Sequence, residues 1–236
     1  MRIFGFSLMG CLIFSLGAIS NIGLPDIPEI REVDLKAEHV FVPKGFDSND
    51  MTEIVVTGWY PNPCYEWSRS VIHKQTGNVN VQLKALVKKG IDTVCIDMAV
   101  PYMESVKLGA MHEGHSKLWV NEIQTQLEIT KANSNSIDDY LYGQVRRVYA
   151  ESSALVLEIE HPSDCIVLDR IESMFNGKDV CSVLPIMKKV KDTCPRNPQI
   201  LDYRFEIPEK CFTADKVLFH VRSLEGKAVN FLLKNR

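Results

Sequence analysis

Much of what an enzyme or a nucleic-acid binder needs is missing from this sequence. None of its seven cysteines sits in a Cys-x-x-Cys pair, which removes the ligand spacing of zinc ribbons and thioredoxin-type centres. There is no Gly-x-Ser-x-Gly and no Ser-x-x-Lys, so a serine nucleophile would need partners brought from far along the chain. HExxH is absent, and with it the zincin helix. No Asn-x-Ser/Thr sequon occurs. Positive charge is not in excess: 27 Lys and Arg stand against 30 Asp and Glu, a net charge of −3. Nothing electrostatic therefore recruits nucleic acid or an anionic membrane surface. Helical spacing is almost missing too. Ile137 to Ala150 comes nearest, but Gly143 and its Tyr and Val content favour strand or irregular structure.

Long apolar runs are confined to one place. The chain opens MRIFGFSLMGCLIFSLGAIS, with Arg2 as the positive start, an apolar run from Ile3 to Ile19, and small residues at Ala18 and Ser20. This is the layout of a secretory signal peptide over residues 1–20, cut after Ser20. A retained membrane helix would be short, since spanning needs about 17 to 25 residues. A lipobox ending at Cys11 is a further alternative, giving a lipid anchor. Cleavage after Ser20 would leave 26 basic and 30 acidic residues, and six cysteines: Cys64, Cys95, Cys165, Cys181, Cys194 and Cys211. An even number in an exported chain points to disulfides and a secreted or periplasmic location.

The rest reads as strands. Lys36–Val42, Ile54–Thr57, Asn78–Leu83, Val94–Val100, Ser105–Leu108 and Ser116–Val120 are short β-rich runs. Gly, Pro and Asn bound them at intervals of about ten residues, the rhythm of a β-sandwich. The second half repeats the plan. Leu155–Ile159 parallels Ile54–Thr57, and His161–Cys165 parallels Tyr60–Cys64. Gly177–Val180 parallels Gly77–Val79, Tyr203–Pro208 parallels Asp97–Pro101, and Glu225–Lys227 parallels Glu113–His115. The expected organisation is all-β, two tandem immunoglobulin-like sandwiches with intradomain disulfides. A leader occupies residues 21–34, the first domain 35–130, a polar linker 131–139, and the second domain 140–236.

The densest segment is GWYPNPCYEW, Gly58 to Trp67. Pro61 and Pro63 suit a strand end and a corner, after which Cys64 starts the next strand. Cys95, 31 residues on, is its expected partner. Trp59, Tyr65 and Trp67 read as corner and core, with an aromatic sugar or peptide platform as the functional alternative. In the second half Cys165 corresponds to Cys64 and Cys194 lies 29 residues on, which favours Cys165–Cys194 with Cys181–Cys211. The pairing Cys181–Cys194 with Cys165–Cys211 stays open.

PNPCY, GNVNVQL, the leading GFDSND and the closing HVRSLEGKAVN together resemble a group of exported bacterial proteins with tandem immunoglobulin-like sandwiches. The resemblance implies a fold and an exported location, and carries over no functional residues.

Few residues suggest chemistry. Met111, His112 and His115 in MHEGH are the best metal candidates, a copper set for an envelope protein, although Glu-Gly is ordinary turn chemistry. Asp47 to Asp50 could offer oxygens to calcium, but the spacing fits Asx turns better. His220 reads as a packed strand residue, and Lys188 to Lys191 as a solvated loop. The cysteines, once oxidised, leave no thiolate chemistry. The functional expectation is a non-catalytic binding or assembly module of the envelope or extracellular space, without a cofactor. Its partner would be a protein or envelope component.

Overall fold

The computed structural model describes residues 29–89, 94–212 and 214–234. Eight strands form the first half: β1 (Glu29–Asp34), β2 (His39–Phe41), β3 (Thr52–Tyr60), β4 (Tyr65–Gln75), β5 (Asn78–Lys89), β6 (Val100–Gly109), β7 (Gly114–Val120) and β8 (Ile123–Ile129). Seven form the second: β9 (Gln144–Glu151), β10 (Ala154–His161), β11 (Ile166–Phe175), β12 (Val180–Lys189), β13 (Gln199–Glu206), β14 (Lys216–Ser223) and β15 (Lys227–Lys234). A 3-10 turn at Glu209–Phe212 is the only helical element among the described residues, and no helix there could cross a membrane.

Each half is a sandwich of two sheets. In the first, β2-β3-β6 faces a sheet ordered β1-β5-β7-β8, with β4 also on β5. In the second, β9-β10-β13 faces β11-β12-β14-β15. The chain is thus two tandem β-sandwiches of immunoglobulin-like plan, and the larger sheet of each contains one parallel pair, β5 with β7 and β12 with β14. Alternation explains the cores. Ile54, Val56, Leu83, Ala85, Leu118 and Leu127 turn inward in the first half. Leu155, Leu157, Ile159, Val183, Phe219 and Val221 do so in the second. A strand face that is apolar at every second residue buries that row and leaves the other for a different task.

The duplication is visible in the ladder. Tyr60 pairs with Val100, and His161 with Gln199, as the last rung of equivalent strand pairs. Both halves carry a bulge at the same place, between Trp67 and Arg69 and between Leu168 and Arg170. Three of the five sequence parallels hold. The rungs, however, align Tyr203–Pro208 with Glu104–Gly109 and not with Asp97–Pro101, because Pro101 opens its strand whereas Pro208 follows its own. Glu225-Gly226 lies in the β14–β15 hairpin, whose counterpart is Asn121-Glu122 and not Glu113-Gly114.

Three further stretches differ from the sequence reading. Glu29–Asp34 is not a separate leader, since it hydrogen-bonds along the outer half of β5. Residues 94–99 are irregular rather than strand, and Val94, Ile96 and Met98 stand exposed where no neighbouring strand takes up their alternation. Residues 131–139 are polar but held in place. Ala132 N–H donates to Ser48 Oγ at 3.2 Å, and the Asn49 side chain donates to Ser134 O. Residues 1–20, read from the sequence as a signal peptide, lie outside the described residues, Cys11 among them.

Candidate functional site

The two sandwiches meet face to face. On β3, Ile54 and Val56 enter the core, so Val55, Thr57 and Trp59 point the other way. Beside them on the same outer face stand His39 and Phe41 of β2 and Pro101, Met103 and Ser105 of β6. The second sandwich covers one end of this face with Val180, Leu218 and Leu232, making a small shared core with Phe41 and Val55.

Polar groups ring that core, and most are paired. Arg222 projects from β14 and its side chain is 2% exposed. It donates to Asp50 Oδ1 at 2.7 Å, Asp50 Oδ2 at 3.2 Å, Asp138 Oδ1 at 2.9 Å and the Gly45 carbonyl at 3.3 Å. Its guanidinium lies over the rings of Phe46 and Tyr142, at 4.7 and 5.1 Å. Burial alone would lower the pKa of Arg222, but the bonds to Asp50 and the charges of Asp50 and Asp138 act together against it and hold the pKa above its ordinary value. The Asp47–Asp50 loop is indeed built on an Asx turn, with Asn49 N–H donating to Asp47 Oδ1 at 2.8 Å. Asp50 then reaches the other domain, and Asp138 completes the clasp from the polar segment between the domains.

Around the rim, His39 Nε2 meets Asp179 Oδ2 at 2.7 Å. Although burial tends to raise the Asp179 pKa, the bonds from His39 and Asn176 prevail and leave it below the ordinary value. Deeper in, Asn230 donates to Glu53 Oε1 at 3.1 Å and Ser105 Oγ at 2.9 Å, leaving its carbonyl oxygen for His220 Nδ1 at 2.9 Å. His220 therefore carries its proton on Nδ1, and Nε2 is a buried acceptor without a partner. Burial pushes its pKa down to about 4.

Past the covered end, the same face of β2-β3-β6 continues into solvent. Trp59 is 53% exposed, its indole N–H donating to Glu38 Oε2 at 3.1 Å, and Met103 is 40% exposed. The strand-free segment leading into β6 exposes Val94, Ile96 and Met98 as well, and is tied to the start of β4 by the Cys64–Cys95 disulfide. The equivalent positions in the second sandwich, counted from the shared rung, are Glu160 for Trp59, Asp202 for Met103, Thr193 for Val94, Pro195 for Ile96 and Asn197 for Met98. There β10 presents Glu158 and Glu160 to Arg147 and Arg146 in ion pairs. The second sandwich thus builds the same strand pairs with polar, charged or proline residues at these positions.

The other sequence candidates are dispersed. Tyr65 and Trp67 pack against the first core from β4, apart from Trp59, so the three do not form one platform. Met111 also packs on that core, while His112 and His115 are exposed beside an open groove lined with Lys74 and Gln75. No three His, Cys, Asp or Glu side chains gather as metal ligands among the described residues. Cys64–Cys95 and Cys181–Cys211 are joined; Cys165 and Cys194 carry separate thiols. The disulfides suggest an oxidising compartment.

Residues 54–129 match the family model described as the ORF11 beta-sandwich domain. The match runs from β3 to the end of β8, and so takes in the exposed cluster. No curated protein and no solved structure matches the chain. The resemblance to exported sandwich proteins is thereby supported in its fold.

The interdomain clasp and the exposed cluster were both missed in the sequence. Arg222 gave no signal, because a lone Arg in HVRS looks like a surface strand residue. The cluster had one: aligned on the correct rung, the two halves differ most sharply at Trp59 and Met103.

Proposed function

We propose that this chain is an exported, non-catalytic binding module that docks a partner protein on the open end of the β2-β3-β6 face. The observation that carries the reading is the asymmetry between the repeats. Five apolar side chains, Trp59, Val94, Ile96, Met98 and Met103, stand exposed on one sandwich where its twin carries polar, charged or proline residues. Clustered exposed apolar groups mark interaction surfaces, and Trp and Met are enriched at the centres of such contacts. A protein partner fits better than a sugar or nucleic acid, because the surface continues an interface that already receives a sandwich through Phe41 and Val55. The signal-peptide reading of residues 1–20 and the disulfides together support an envelope or extracellular setting.

Site-specific photocrosslinking tests this. A photoreactive phenylalanine at position 59 is expected to yield a discrete adduct in the native setting, lost when Met98→Ser and Ile96→Ser are added. The same probe at position 160 should yield none. Equal adducts from both positions, or an adduct indifferent to those substitutions, would end the proposal.

A further inference from the structure

The repeat makes Cys165 and Cys194 more than two leftover thiols. Cys64 lies four residues beyond Tyr60, and Cys165 four beyond His161. Cys95 lies five residues before Val100, and Cys194 five before Gln199. Since Tyr60–Val100 and His161–Gln199 are the same rung, both pairs flank equivalent strand ends.

The local backbone agrees. Cys64 N–H donates to Asn62 Oδ1 at 3.0 Å, and Cys165 N–H to Ser163 Oγ at 3.2 Å. The Cys64 carbonyl accepts from Lys88 N–H at 3.2 Å, and the Cys165 carbonyl from Val190 N–H at 2.7 Å. Cys64 and Cys95 are joined, whereas the Cys165 thiol donates to the carbonyl of Thr193, the residue before Cys194, at 3.1 Å, and the Cys194 thiol donates to Lys191 O at 3.4 Å.

We infer that Cys165 and Cys194 are a covalent modification site, closing a third disulfide that is made and opened from the Cys194 side. Cys194 is exposed and Cys165 buried, so a small disulfide such as oxidised glutathione reaches Cys194 first. The Cys194 thiolate attacks one glutathione sulfur and releases one glutathione thiol. The Cys165 sulfur then attacks the Cys194 sulfur of the mixed disulfide, releasing the second. Both protein thiols lose a proton and are oxidised, while one glutathione disulfide is reduced to two thiols. Reduction runs the same path backward. Cys181 and Cys211, both fully buried, are out of reach of the same reagent.

The bond would tie down the strand-free segment 190–198, which is held to the corner by Val190 N–H on Cys165 O, Asn197 N–H on Pro162 O and the Lys191–Asp164 ion pair. The inference is independent of the docking surface, since it concerns the opposite sandwich.

The test is residue-resolved alkylation and peptide mapping of the purified protein across reduced and oxidised glutathione. Under oxidised glutathione, a Cys165–Cys194 linked peptide is expected and neither residue should alkylate. As reduced glutathione rises, these two should alkylate before Cys64, Cys95, Cys181 and Cys211. In Cys194→Ser, Cys165 should remain an unmodified thiol. Cys165 and Cys194 still free under oxidised glutathione, a reaction that stops at glutathione on Cys194, or Cys165 bonded to any other cysteine would overturn the inference.

Discussion

Replacing Arg222 with methionine keeps most of the apolar stem and deletes the guanidinium. In the structure this removes three hydrogen bonds to carboxylates, one to a carbonyl, and two ring contacts. Hydrogen bonds to charged groups are worth about 1.5–3 kcal/mol each, but their sum is not the answer, because burying the guanidinium costs much of it. What decides the outcome is the pair left behind. Asp50 is 4% exposed and Asp138 13%, so neither carboxylate can recover its water. Breaking one side of such a buried pair costs about 3–5 kcal/mol. For a chain of this size each kcal/mol moves the melting temperature by about 2–4 °C, so the midpoint should fall by roughly 6–20 °C.

Calorimetry adds a second readout. Arg222 ties β14 to the Asp50 loop of the other sandwich, so the parent protein should melt in one transition and Arg222→Met in two. In the double variant Asp50→Asn/Arg222→Met the loss should be smaller than the sum of the single losses, because both remove the same bonds. A midpoint for Arg222→Met within about 1 °C of the parent, against the 2–4 °C per kcal/mol expected, would refute the reasoning.

Acid should weaken the protein through His220. An unfolded histidine titrates near about 6.5, whereas buried His220 is pushed down to about 4. Between those values the unfolded chain binds a proton that the folded one refuses, so stability falls as pH drops through that window, by roughly 3 kcal/mol at most. Glu53, its carboxyl raised by burial, acts in the opposite sense, so the comparison to make is the pH slope of urea unfolding in the parent and in His220→Asn, which should be flatter. Gly58→Ala should also destabilise. A Cβ there would lie 2.7 Å from the Tyr102 hydroxyl and 2.8 Å from the Lys36 carbonyl, which are themselves hydrogen-bonded. Overpacking of this kind costs about 1–3 kcal/mol, read as a lower urea midpoint.

The sequence made the sandwich architecture legible because alternation and punctuation are local. Ile54–Thr57 and Leu155–Ile159 announce buried strands by composition, and the glycines and prolines around them mark the turns. β1 and β8 were harder. Glu29–Asp34 is mostly exposed, and Ile123–Ile129 mixes Gln and Thr into its alternation, so neither has the strong apolar face that periodicity detects. The Cys64–Cys95 link followed from position along the chain. The clasp did not, because Asp50, Asp138 and Arg222 are brought together only by the docking of two domains. The functional surface fell between these cases. GWYPNPCYEW drew attention for its aromatics, yet only Trp59 faces outward there. Its companions come from β6 and the segment before it.

The docking geometry also makes the two halves non-interchangeable. The second sandwich offers Val180, Leu218 and Leu232 to its neighbour, but the matching positions of the first are Asn78, Lys117 and Gln126. On the second sandwich the face equivalent to the docked one carries the ion pairs Arg146–Glu160 and Arg147–Glu158, with Ile200 exposed beside Glu160. Were the halves exchanged, the row Asn78, Lys117 and Gln126 would meet that face where Val180, Leu218 and Leu232 now meet Phe41 and Val55, and the displaced unit would hang from its tether without stacking. The order of the two units is thus written into their sheet faces, and reversing it would require rewriting one of them.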